Sequence, residues 1–322
     1  MKKYERLLKC VLKGFFKKQH SVMNQYHFSV KERHMYYMGE IFRELRTGRH
    51  ISLKAATGEE FSYSMLSKFE NGDSDISASK LLIGLENIRT ELEEFVYLVR
   101  GFQPTSYTLL KNKLWQAQEK KDMNTLWEMY HNEMTQYQSE QEEKYILNAI
   151  VIKGHMFFLD ETIQATEIEL NFLYDYLFSV EIWGEYELHL FSDIAALLPL
   201  DLYFRYVREM LQKVDYLGDL QKNKNYIYTI LLNGLFKSIA EKSLTKAAYF
   251  DKKIKEKFFD ENDAYLRIVY LFADGQHDYI LEKRDEGLTK MKNAISTLEI
   301  IGCKQSADYY SKNMSDWLKE CE

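Results

Sequence analysis

The feature that most restricts this chain is a scarcity of helix breakers: two prolines, Pro104 and Pro199, and 14 glycines in 322 residues. A strand-rich protein of this length needs many tight turns, and Gly and Pro supply most of them. A chain this poor in both, yet rich in Leu, Glu, Lys and Tyr, reads as mostly helical. Apolar residues recur at three-four spacing from residue 105 almost to the end, as at Leu173, Leu177 and Val180, or Leu231, Leu235 and Ile239. The pattern places helices near 105–119, 122–138, 142–158, 166–179, 183–197, 200–215, 223–240, 244–258, 262–274, 284–300 and 304–319. Successive pairs begin roughly 35–42 residues apart, the period of helix-turn-helix solenoids. An amphipathic pair cannot bury its apolar face alone, so consecutive pairs stack and generate a concave surface. No single repeat matches the tetratricopeptide consensus, so the expectation is a tetratricopeptide-like α-solenoid whose register stays open.

Other classes find little support. No apolar run approaches the roughly 18–20 residues that cross a bilayer, and the basic start has no secretory apolar core, so no membrane is expected and the cytoplasm is the expected location. Cys10, Cys303 and Cys321 are scattered singly and fit no disulfide or metal spacing. Paired metal ligands, a glycine-rich phosphate loop and a nucleophile elbow are not found. Single histidines such as His155 and His189 lack partners at ligand spacing. Catalytic residues, metal and cofactor are therefore not expected. The net charge is −6, but residues 1–37 carry nine Lys/Arg against two Glu. Any nucleic-acid binding must come from local placement of charge rather than bulk attraction.

Residues 38–99 differ from the rest. Ile41, Phe42 and Leu45 mark a first helix ending at Gly48. Ser52 is placed to cap a second, in which Ala55 and Ala56 suit a close helix crossing. The stretch "FSYSMLSKFENGDSDIS" (61–77) then holds five serines around the anchors Met65, Leu66 and Phe69. Ser62 is its N-cap, and Asn71 or Gly72 supplies the left-handed stop. Leu81, Leu82 and Leu85 give a fourth helix and "ELEEFVYL" a fifth. This is a helix-turn-helix arrangement, whose third helix presents its N-terminal residues to the major groove of DNA. Tyr63, Ser64 and Lys68 point away from the anchors and are the candidate base readers; Ser62 and Ser67 are candidates for phosphate. Arg43, Arg49 and Lys54 are free to meet phosphates, while Arg46 and Glu70 stand where such domains place an internal ion pair. Residues 100–106, with Gly101 and Pro104, read as a linker to a helical-repeat region at 107–322.

Several separated segments resemble the Rgg/GadR/MutR family of transcriptional regulators from low-GC Gram-positive bacteria. "GEIFRELR", "FSYSMLSKFENGDSDIS" and "LEEFVYL" are similar to its DNA-binding domain. "EIWGEYELHLFSDIAALLPLD" resembles its middle signature, and "FADGQHDYILEKRDEGLTKMKNAISTLEIIGC" its final repeat. The resemblance covers about residues 38–320. It implies a sequence-specific regulator that binds double-stranded DNA as a homodimer under the control of a short hydrophobic signalling peptide held in the concave repeat surface. Two departures stand out. Family members begin close to Met38, so residues 1–37 are either a basic arm or lie ahead of a true start at Met35 or Met38. Asp193 stands where many relatives have Asn, which would place a carboxylate near the groove.

An extended peptide leaves backbone amides to satisfy, and asparagine offers a donor and an acceptor at one site. Asn148 and Asn233 lie among apolar residues of predicted helices, so each is either a clamp for the ligand or an interhelix hydrogen bond. Trp183 and Phe191 read as core, whereas Tyr186, Tyr226 and Arg267 are the candidates for lining the groove. The competing reading is a helical-repeat scaffold for protein partners with a vestigial DNA-binding head.

Overall fold

The computed structural model describes residues 37–256 and 259–319. The basic segment before Tyr37, with its expected amphipathic helix, lies outside the described residues. So do Cys10 and Cys321. The described residues hold sixteen α-helices, two short 3-10 turns and no strand, so the fold is all-α. No helix among them is long and apolar enough to cross a membrane. They divide into two compact units, 37–113 and 114–319.

The first unit contains α1 (Met38–Gly48), α2 (Leu53–Thr57), α3 (Tyr63–Glu70), α4 (Ala78–Asn87) and α5 (Leu92–Val99). Three serines start three of these helices: Ser52, Ser62 and Ser77 accept from the backbone N–H of Ala55, Met65 and Lys80. The core gathers Ile41, Phe42, Ala56, Leu66, Phe69, Leu85, Ile88, Phe95 and Val99. Phe42 sits at its centre, edge-on to Phe69 at 6.2 Å and to Phe95 at 6.5 Å, the arrangement aromatic quadrupoles favour.

Two details differ from the sequence reading. Of the alanine pair only Ala56 is buried, and Ala55 faces out. The closest helix approach uses glycine instead: a Cβ on Gly39 would lie 1.9 Å from the carbonyl oxygen of Phe69, so α1 crosses the end of α3 backbone against backbone. Leu82, expected in the core, is 49% exposed. The inward face of α4 there is formed by Gly84, against which the Phe42 ring packs, and Leu85.

The boundary between the units falls within α6 (Ser106–Lys120). The second unit continues with α7 (Met123–Glu140), α8 (Glu143–Phe157), α9 (Glu167–Ser179), α10 (Glu185–Ile194), α11 (Leu200–Lys213), α12 (Gln221–Ala240), α13 (Leu244–Glu256), α14 (Ala264–Ile280), α15 (Arg284–Ile300) and α16 (Lys304–Leu318). Short connections make neighbours pack as hairpins, most extensively α7 with α8, α12 with α13, and α14 with α15. The helix expected at 183–197 is shorter, passing into a 3-10 turn at Ala195–Leu197. Pro199 accounts for this, because proline forces the preceding residue, Leu198, into an extended conformation.

The helix expected to stop at 274 instead runs on to Ile280. Gly275 lies within it and serves a crossing. Its Cβ would lie 2.7 Å from the Gly287 carbonyl oxygen, and that of Gly287 2.5 Å from the Gly275 carbonyl oxygen. Only a glycine pair lets α14 and α15 touch there.

Candidate functional site

The helix α3 is held from beneath and open above. Leu66, Phe69 and Glu70 are buried, whereas Ser62, Tyr63, Ser64 and Lys68 are exposed and Ser67 is half-buried. The Tyr63 ring is 62% exposed on the first turn. Ser62 accepts one hydrogen bond as the cap, and its hydroxyl also carries a donor.

The underside is fixed by charge as well as by packing. Arg46 donates from Nε and Nη2 to the two Glu70 carboxylate oxygens at 2.6 and 2.7 Å, and from Nη1 to the Ile51 carbonyl at 2.7 Å. Both side chains are buried, 8% and 4% exposed. The Glu70 hydrogen bond outweighs burial and raises the Arg46 pKa above its ordinary value. A forked pair of this geometry locks the ends of α1 and α3 in register.

The other cations differ in freedom. Arg43 is exposed and donates to Asn71 Oδ1 at 3.3 Å, so it is steered toward the C-terminal end of α3. Arg49 is exposed with Nη1 on the Leu45 carbonyl at 3.1 Å. Lys54 projects from α2 into solvent. Two neighbours of α3 escaped the sequence reading. Asn71 orients Arg43, and Lys80 on α4 brings its Nζ to 3.3 Å from Met65 Sδ. Only the position of Lys80 behind the Ser77 cap hinted at its proximity to α3.

The five candidate ligand contacts in the second unit are not alike. Asn148 is half-buried and donates to Glu133 Oε2 at 2.9 Å. Burial raises the Glu133 pKa, partly offset by that bond. Tyr186 is half-buried against the Tyr176 ring at 6.4 Å. Its pKa is pushed up to about 12, first by burial and then by Glu187, Glu133 and Glu143. Arg267 is half-buried on α14. Tyr226, expected along the groove, is instead in the core, 1% exposed and edge-on to His189 at 5.4 Å.

Asn233 is completely buried, and neither its Oδ1 nor its Nδ2 has a protein partner among the described residues. Buried amides are normally satisfied, so this one is the clearest unspent hydrogen-bonding capacity in the second unit.

Two buried charge clusters also escaped the sequence reading. Asp193 does not face a groove: it is buried with His189, one turn earlier on α10, Nδ1 to Oδ2 3.1 Å. Lys153 and Glu169 pair at 2.6 Å in the interior, with Tyr130, the Thr166 hydroxyl and the Thr166 N–H also donating to Glu169. Burial alone would raise the Glu169 pKa, but those donors hold it below the usual carboxylate range. His155 bonds Gln118 Oε1 at 2.6 Å, and burial lowers its pKa to about 4. It is therefore neutral and donates through Nδ1.

Comparison with known proteins fits this arrangement. The X-ray structure of the SHP pheromone receptor Rgg2 from Streptococcus dysgalactiae is similar, with a TM-score of 0.74 and 26% identity, covering 88% of this chain and 99% of that one. A putative transcriptional regulator from Listeria monocytogenes EGD-e shares the fold at 19% identity and a TM-score of 0.76, covering 89% and 99%. The PrgX/cCF10 complex does so at 15% identity and a TM-score of 0.71, covering 87% and 99%. The C-terminal domain model of the HTH-type transcriptional regulator Rgg matches residues 131–312, more than half of the chain. The chain therefore belongs to the Rgg family of helix-turn-helix transcriptional regulators.

Proposed function

We propose that this regulator binds double-stranded DNA in a sequence-specific manner as a homodimer in the cytoplasm, and that a short hydrophobic signalling peptide bound by its helical repeats controls the binding. In this reading residues 38–99 are the DNA-binding head, 100–106 the linker and 107–322 the regulatory region. The observation that carries it is the α3 face: Tyr63, Ser64 and Lys68 open to solvent over a core locked by Leu66, Phe69 and the Arg46–Glu70 pair. Arg43, Arg49 and Lys54 supply the phosphate contacts, with Ser62 and Ser67 beside them, so affinity falls as salt rises. The peptide reading is supported by the Rgg2 pheromone receptor and the PrgX/cCF10 complex as relatives. Within the chain it is supported by Asn233, a buried amide whose Oδ1 and Nδ2 have no protein partner among the described residues. Asn148, Tyr186 and Arg267 are its partly exposed companions on α8, α10 and α14.

A salt-titrated gel shift with the gene's own upstream DNA tests this. A specific shift that Tyr63→Ala combined with Ser64→Ala abolishes, with helical content and dimerisation kept, supports the reading. Absence of any sequence-preferring shift would leave a helical-repeat scaffold with a vestigial head.

A further inference from the structure

The exposed face of α3 is unusual in what it lacks. Bidentate readout of guanine uses Arg or Lys, and bidentate readout of adenine uses Asn or Gln. The helix "YSMLSKFE" contains no Arg, Asn or Gln, and its single Lys, Lys68, lies in the last turn rather than the first. Asn71 follows the helix, but its Oδ1 is taken by Arg43 at 3.3 Å. Arg46, the nearest arginine beneath, is spent on Glu70 and the Ile51 carbonyl. What the N-terminal half offers a groove is two small hydroxyls and one large ring, that of Tyr63, 62% exposed. Hydroxyls donate or accept and so discriminate weakly. The ring is different: its surface is mostly apolar, and the one apolar group on the major-groove edges is the thymine 5-methyl.

We infer that Tyr63 is a specificity-determining residue that reads thymine methyl groups, so that each half-site carries a thymine where the first turn of α3 enters the groove. This rests on the DNA-binding reading above and adds which base it selects. The ring loses water only against a methyl; against cytosine or guanine edges it would strip polar groups of hydration without replacing them. Because the Tyr63 ring is 62% exposed and belongs to no part of the head's core, replacing it changes the reading surface and leaves the head's packing alone.

The experiment uses the full chain. Binding duplexes are selected from a randomised library, and each thymine of the selected site is then replaced by deoxyuridine, which removes only the methyl. One thymine per half-site is expected to lose roughly 4-fold in affinity on replacement, the worth of about one buried methyl. Tyr63→Phe should keep that discrimination, and Tyr63→Ser should bind the thymine and deoxyuridine duplexes equally. Circular dichroism and the thermal transition of both variants should match the parent. A selected site at which no deoxyuridine weakens binding, or a methyl effect that persists in Tyr63→Ser, overturns the inference while leaving DNA binding intact. Selection that yields no sequence preference overturns both.

Discussion

Arg46 and Glu70 illustrate how single residues decide whether the reading helix is held in place. Two opposite charges taken out of water gain only if their geometry is good and their remaining donors are satisfied. Here three Arg46 nitrogens are all bonded. Removing one partner strands the other: Arg46→Met is expected to cost about 3–5 kcal/mol, seen as an early head transition in calorimetry of the whole chain. Pairing it with Glu70→Leu should recover much of the loss. If the single variant unfolds like the parent, the pair contributes nothing.

His155 makes a different kind of prediction. Its folded pKa of about 4 lies below the ordinary 6.5, so the unfolded chain binds the proton first. The stability it contributes is complete above pH 6.5 and is lost as pH falls toward 4, by about 3 kcal/mol at most. Urea unfolding across that window should show the drop, and His155→Gln, which still donates to Gln118, should flatten it. The caps were readable because each acts within its own helix, and the Arg46–Glu70 positions because helix-turn-helix domains place an internal ion pair there. The partner of His155 was not, since burial and the tertiary contact with Gln118 leave no mark on the sequence; Asp193, one turn after His189 on the same helix, is a local spacing, and only its burial was hidden.

At the scale of elements, periodicity located the helices of the second unit, because amphipathic spacing is a direct consequence of one buried face. It failed where glycine served packing rather than chain reversal. Gly275 and Gly48 look alike in sequence, yet the structure separates them. A Cβ at Gly48 meets nothing within 4 Å, whereas at Gly287, across from Gly275, it would lie 2.5 Å from a backbone oxygen. Gly48→Ala is therefore expected to be neutral or stabilising by about 0.5–1 kcal/mol, since Ala is the better helix former. Gly287→Ala should cost about 1–3 kcal/mol or more by forcing α14 and α15 apart. Thermal unfolding of the two variants side by side decides the matter; equal behaviour would mean that the crossing is looser than its geometry says. The same logic explains Leu82. Gly84 and Leu85 share the inward face of α4, with the Phe42 ring against Gly84, and that leaves Leu82 on the opposite, exposed face.

For the whole molecule, a ligand in the repeats acts on the head only by binding one state of the chain better than another. The energy for such a preference has to be stored somewhere, and Asn233 is a concrete place to look. A fully buried amide with no protein partner among the described residues lacks about 1–3 kcal/mol that a satisfied or apolar side chain would keep. A peptide backbone that donates to Oδ1 and accepts from Nδ2 would recover it, and would do so only in the state that admits the peptide. Asn233→Leu separates this from an ordinary structural role by the sign of its effect. Leucine has the branching and heavy-atom count of asparagine and no desolvated polar atoms, so the variant without ligand should be more stable than the parent by up to about 1–3 kcal/mol, less the cost of fitting its bulkier methyl groups. The same variant should bind its operator normally and lose the thermal shift that the peptide produces in the parent. If Asn233→Leu is instead destabilised before any ligand is added, the amide serves the fold itself, and control by peptide must be sought at Asn148, Tyr186 and Arg267.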